Sequence, residues 1–116
     1  MGIYGKTDNI LSVLDGYTLT SVDDVSLKLA DDFRRRRIEK NLPREQLAEM
    51  AGVAVSNVVR FEQKGLISLK NLIALAIAMG YVSEVKNLFA TPKYSTMEEL
   101  TQIRSNAHKK KAYKKV

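Results

Sequence analysis

The chain contains no cysteine and a single histidine, His108. Disulfides and thiolate metal sites are thereby excluded, and one imidazole alone does not make a metal centre. Tryptophan is also absent, and five tyrosines with three phenylalanines are the only aromatics in 116 residues. A core drawn from this composition is small and aliphatic. No platform of rings is visible on which single-stranded RNA bases would stack. No run approaches the ~18 apolar residues of a membrane span, and the start, MGIYGKTDNILSVLDG, lacks the charged-then-apolar pattern of a secretion signal. A cytoplasmic protein of one small domain with appendages is the expectation. No nucleophile stands with a plausible His/Asp pair, and there is no Gly-rich phosphate loop or metal-ligand cluster, so neither enzyme activity nor a cofactor is expected.

Acidic residues are missing from the C-terminal end. All 13 lie at or before Glu99, whereas Arg104, Lys109, Lys110, Lys111, Lys114 and Lys115 follow it. The body thus carries as many cations as anions, and the tail alone supplies the net charge of +6. The sequence describes a basic arm rather than a basic surface.

What is present centres on Leu42 to Gly65, LPREQLAEMAGVAVSNVVRFEQKG. Leu47, Ala48 and Ala51 follow an i, i+1, i+4 pattern and Val58 and Phe61 an i, i+3 pattern, so Arg44–Met50 and Val55–Gln63 each show one apolar helical face. Gly52 falls where the first helix must stop, at a corner that demands positive φ. Two helices joined by so short a link are the physical content of a helix-turn-helix.

The pattern L-A-x-x-A-G-V-x-x-S-x-V-x-x-F-E, carried by Leu47, Ala48, Gly52, Val53, Val58 and Glu62 among others, resembles the XRE family of Cro/phage-repressor-type DNA-binding domains. With its flanking helices the resemblance spans about Leu29 to Phe89. It implies that Arg37 pairs with Glu62 and that the outward residues of the second helix read base edges in the major groove. These are Val55, Ser56, Val59 and Arg60: the arginine suits guanine O6 and N7, the valines suit thymine methyls, and the serine donates or accepts. Arg44, Asn57 and Lys64 are the expected phosphate contacts. The chain departs from the family at Pro43 and Arg44, where Ser or Thr and then Gln are usual, and at Ala54, the usual Ser/Thr cap.

The rest of the chain reads outward from this core. Residues 1–20 form an N-terminal extension with two readings, a loosely ordered arm or a short element pairing with a second subunit. Ser21 caps a first helix running to about Asn41, with Val22, Val25, Leu29 and Phe33 as its core stripe, Ile38 as a later anchor and Arg34–Arg36 on the surface. A fourth helix covers Ser68 to Met79, with Leu69, Leu72, Ile73, Ala76 and Met79 on one side. Val82, Val85, Leu88 and Phe89 define a fifth. Beyond Thr91-Pro92 an appended helix starts near Ser95, within 91–105, and a disordered basic tail follows over 106–116.

The expected fold is all-α: a five-helix lambda-repressor-like DNA-binding domain over 21–90, with its helix-turn-helix at 43–64. The expected function is sequence-specific binding of double-stranded DNA by a repressor, as a homodimer on a palindromic operator. Lys109, Lys110, Lys111, Lys114 and Lys115 would add sequence-independent affinity. The segment FEQKGLISLKNLIALAIAMGYVSEVKNLF, with TPKYSTMEEL after it, is similar to HipB-like antitoxins. That similarity implies a HipA-like kinase toxin as a further partner. A protein-bridging module whose only DNA affinity comes from the tail is the alternative.

Overall fold

In the computed structural model, residues 21–112 are described. The expectations for residues 1–20, Tyr113, Lys114 and Lys115 fall outside them. The described residues hold six helices and no strand: α1 (Val22–Glu39), α2 (Arg44–Ala51), α3 (Val55–Lys64), α4 (Leu69–Met79), α5 (Val82–Lys86) and α6 (Met97–Asn106). The all-α class is as expected. The described residues divide into two compact units, 21–82 and 83–112.

In the first unit, α1 starts where the Ser21 hydroxyl accepts the Asp24 N–H at 3.1 Å, and its first turn carries Asp23 and Asp24 against the helix dipole. Its C-terminal half packs inward through Ala30, Phe33 and Arg37, with Ser26 half-buried one turn earlier. The expected stripe is therefore corrected. Val22, Val25, Leu29 and Ile38 are exposed, and only Phe33 of that set joins the core. The periodicity misled because the true stripe contains a small alanine and an arginine, which a count of large apolar residues passes over.

The core is built from Ala30, Leu47, Ala48, Val53, Val58, Phe61, Leu75 and Met79. Phe33 meets Phe61 with ring centroids 5.1 Å apart and planes tilted by 59°. Leu47, Val58, Phe61 and Leu75 are fully buried, each worth about 1.5–3 kcal/mol of removed apolar surface. The inward side of α4 is Leu75, Ala76 and Met79, while Leu69, expected inside, is exposed, as is Ile77. Leu75 is inside because α4 packs on α2 along that side.

Two glycines end the two helices of the turn motif. Gly52 ends α2 at φ +68°, and Gly65 ends α3 at φ +69°. A Cβ on Gly65 would lie 3.0 Å from the carbonyl carbon of Ser26 in α1, whereas one on Gly52 would meet open space. Gly65 is thus needed both for its backbone angle and for a close approach of α3 to α1.

α5, which starts at the boundary of the two units, is shorter than expected. It ends at Lys86, and Leu88 and Phe89 are exposed. Phe89 has φ +64°, so it cannot continue a right-handed helix. The turn beyond α5 is held by Leu88 N–H to Val85 O (3.2 Å) and Ala90 N–H to Asn87 O (3.0 Å). α6 begins with Thr96, whose hydroxyl accepts the Glu99 N–H at 3.1 Å, and Glu99 accepts in turn from the Ser95 hydroxyl at 2.9 Å. Leu100 and Ile103 are half-buried and Met97 is exposed. No helix among the described residues is long and apolar enough to cross a membrane.

Candidate nucleic-acid interface

The side chains that would meet DNA stand on α3, so the site begins with what holds that helix. Val58 and Phe61 bury its inner face, and α1 and α2 pack against it. At its C-terminal end the Glu62 side chain is fully enclosed. Arg37 grips it from α1 with two bonds, Nε to Oε2 at 2.6 Å and Nη2 to Oε1 at 2.9 Å. The third Arg37 nitrogen, Nη1, donates to the Leu42 carbonyl at 2.9 Å and so also fixes the link between α1 and α2. The planar guanidinium is what allows one side chain to serve two acceptors in fixed directions.

A second arginine completes the cluster. Arg44 Nε donates to Glu62 Oε1 at 2.9 Å, with the Arg44 side chain 31% exposed. One carboxylate therefore bridges three helices through two guanidinium groups. Burial by itself raises the Glu62 pKa; the hydrogen bonds and charges of Arg37 and Arg44 outweigh it and hold the carboxyl below its usual range. Two cations around one anion leave a net positive charge at the start of α2.

The pairing of Arg37 with Glu62 is seen as the resemblance implied. The tie from Arg44 to Glu62 was missed. In place of the bracing amide that Gln would supply, Arg44 braces through an ion pair. The signal was legible only in retrospect: an arginine at the first position of α2, eighteen residues before a buried glutamate.

The outer face of α3 presents Val55, Ser56 and Arg60 to solvent, while Val59 and Asn57 are half-buried. The expectation of two exposed valines therefore holds fully for Val55 alone. The Arg60 side chain has no hydrogen-bond or ion-pair partner among the described residues. It lines an open cleft with Asn57, Leu66, Ile67, Ser68 and Asn71. That cleft brings Asn57 and Arg60 beside the first turn of α4, and Asn71 is a polar neighbour that the sequence did not single out. Lys64 is exposed at the end of α3.

Capping differs along the chain. α1, α4 and α6 each start with a Ser or Thr hydroxyl accepting a backbone N–H, whereas α2 and α3 start at Pro43 and Ala54 with no side-chain cap. The two helices of the turn motif thus keep backbone N–H donors that no side chain among the described residues caps.

In the second unit, Lys109, Lys110 and Lys111 are exposed just beyond α6, around a shallow hollow shared with Gln102, Ser105 and Asn106. The described part of the basic arm is therefore a local cluster of three lysines.

Residues 33–86 match the family model described as Helix-turn-helix. No curated protein matches the chain. The match covers the C-terminal part of α1, α2, the Gly52 corner, α3, α4 and α5. On that match and this geometry, residues 33–86 are a helix-turn-helix domain with the lambda-repressor-like all-α fold, of the DNA-binding kind carried by transcriptional regulators, in keeping with the XRE-type resemblance.

Proposed function

We propose that the protein binds double-stranded DNA in a sequence-specific manner through α3 and acts as a repressor. The observation that carries this is the contrast between the two sides of α3. One side is locked by Val58, Phe61 and the Arg37–Glu62–Arg44 cluster, and the other offers an unpartnered Arg60 beside Val55 and Ser56. A rigid helix with an unsatisfied guanidinium and short side chains at its start suits insertion into a major groove. Val55, Ser56, Val59 and Arg60 are assigned to base edges. Arg44, Asn57 and Lys64 are assigned to phosphates, and the uncapped starts of α2 and α3 add backbone donors for the same anions.

One recognition helix reads only a few base pairs, so the working form on this reading is a homodimer on a palindromic operator. Lys109–Lys111, with Lys114 and Lys115, supply affinity without sequence preference. The similarity of residues 61–100 to HipB-like antitoxins supports a HipA-like kinase toxin as a second partner. Co-purification of such a kinase with the tagged chain tests that part separately.

The deciding experiment is a titration against duplex DNA from the gene's own upstream region beside a scrambled duplex, at several salt concentrations. Preference of ~10³-fold or more for the native duplex is expected. Arg60→Ala is expected to cost ~1–3 kcal/mol of binding and to relax the preference at one base pair. Equal binding of both duplexes with a steep salt slope, unaltered by Arg60→Ala, would instead favour a bridging module whose tail alone touches DNA.

A further inference from the structure

The second unit leaves its largest side chains uncovered. Among its described residues none is buried, and Leu88, Phe89 and Met97 are 61%, 92% and 69% exposed. Phe89 is the extreme case on two counts. Its ring stands almost wholly in water, and its backbone sits at φ +64°, a conformation that a glycine or asparagine occupies with far less strain than a bulky residue. Both costs are borne at one position that serves no buried core. A cleft lies against it, lined by Glu84, Asn87, Leu88, Phe89, Thr91 and Lys93.

We propose that this knob and cleft are the seat of a second copy of the chain, with Phe89 of each copy lodged against the cleft of the other. The proposal rests on the dimer reading above and names its surface. Three features favour a like copy over an unlike partner. Knob and cleft belong to the same short segment, so a two-fold axis satisfies both at once and closes the assembly. The lining holds one acid and one base, Glu84 and Lys93, and neither has an ion-pair partner among the described residues. A two-fold axis can set Glu84 of one copy against Lys93 of the other, whereas a lining of one sign would repel its own kind. Finally, an exposed aromatic next to an aliphatic side chain has the composition of an interface centre rather than of a phosphate-binding surface.

The test is sedimentation equilibrium of the full chain without DNA. The wild type is expected to dimerise, and Phe89→Asn, which keeps a residue tolerant of positive φ, to weaken the dimer by about thirtyfold or more. Glu84→Lys is expected to weaken it too, and Glu84→Lys combined with Lys93→Glu to restore it. That rescue decides the matter even if Phe89→Asn perturbs the local fold. A wild type that stays monomeric to its solubility limit overturns the proposal, as does a dimer of unaltered strength in Phe89→Asn and Glu84→Lys. Binding of each variant to a duplex carrying one half-site is measured in parallel. Absence of specific binding in the wild type would sink the DNA reading without touching the sedimentation result.

Discussion

Removing Arg37 and removing Arg44 take away two guanidinium groups from the same carboxylate, yet the consequences for stability should differ severalfold. Arg37 is 8% exposed and makes three hydrogen bonds, two to Glu62 and one to the Leu42 carbonyl. Arg37→Ala leaves an enclosed carboxylate with one remaining bond, from Arg44, and strips the Leu42 carbonyl of its donor. Breaking a buried ion pair from one side costs about 3–5 kcal/mol. Arg44→Ala removes a single bond, made by a side chain that is 31% exposed, from a carboxylate still held twice by Arg37. Solvent screening reduces its worth to about 1 kcal/mol. For a domain of this size each kcal/mol moves Tm by roughly 4–8 °C, so Arg37→Ala should lower it by roughly 12 °C or more and Arg44→Ala by roughly 4–8 °C. Urea and thermal unfolding followed by far-ultraviolet circular dichroism measure both. DNA affinity should rank the variants differently: Arg44→Ala, still folded, should weaken binding to all duplexes alike and lower the salt slope by about one. If the two substitutions cost the same stability, or Arg44→Ala costs more, the account of Glu62 as primarily Arg37's partner is wrong.

Three further expectations concern the fold. Gly65→Ala should destabilise more than Gly52→Ala, because both positions have positive φ but only Gly65 also faces the Ser26 backbone, 3.0 Å from where a Cβ would stand; equal losses in urea unfolding would contradict this. Ala54→Ser should add about 1 kcal/mol by capping α3, where the backbone at φ −64° and ψ 138° already suits a cap; an unaltered midpoint would show that the α3 start is satisfied some other way. The Glu62 carboxyl is held below its usual range when folded, so its contribution is fully present above the ordinary glutamate pKa of about 4.3 and is lost as pH falls through the lowered folded value. The stability gap between wild type and Glu62→Gln should therefore narrow in acid below about pH 4, and a gap independent of pH would refute the assignment.

The turn motif was the most legible part of the chain because its rules are local. Arg44–Met50 and Val55–Gln63 were expected, and α2 and α3 run Arg44–Ala51 and Val55–Lys64. Gly52 marked the corner because few other residues accept its φ of +68° without strain. The face of α1 was not legible. Its apolar Val22, Val25 and Leu29 repeat with helical spacing but stay exposed, while Arg37 takes an inside position that only its partner on α3 makes tenable. Pairing across 25 residues leaves no trace in a local period. The reach of α5 was overestimated for a related reason: Leu88 and Phe89 continue an apolar spacing, but the backbone turns left-handed at Phe89. Of the candidate site, the pairing of Arg37 with Glu62 followed from resemblance, whereas the second arginine on Glu62 depends on how α2 packs beside α3, which no local pattern records.

Glu62 and Gly65 meet the same helix, α1, at Arg37 and at Ser26. Two points of attachment fix both the azimuth and the axial position of α3, and both lie in its final turn or just beyond it. The side chains of Val55, Ser56 and Arg60 take no part in either and hold no hydrogen bond or ion pair among the described residues. The residues assigned to reading a sequence are in this sense detachable from the residues that aim them. A change of operator preference is then accessible by exchange at these exposed positions, one base contact at a time, with little penalty to folding. The architecture places few obstacles between one specificity and the next.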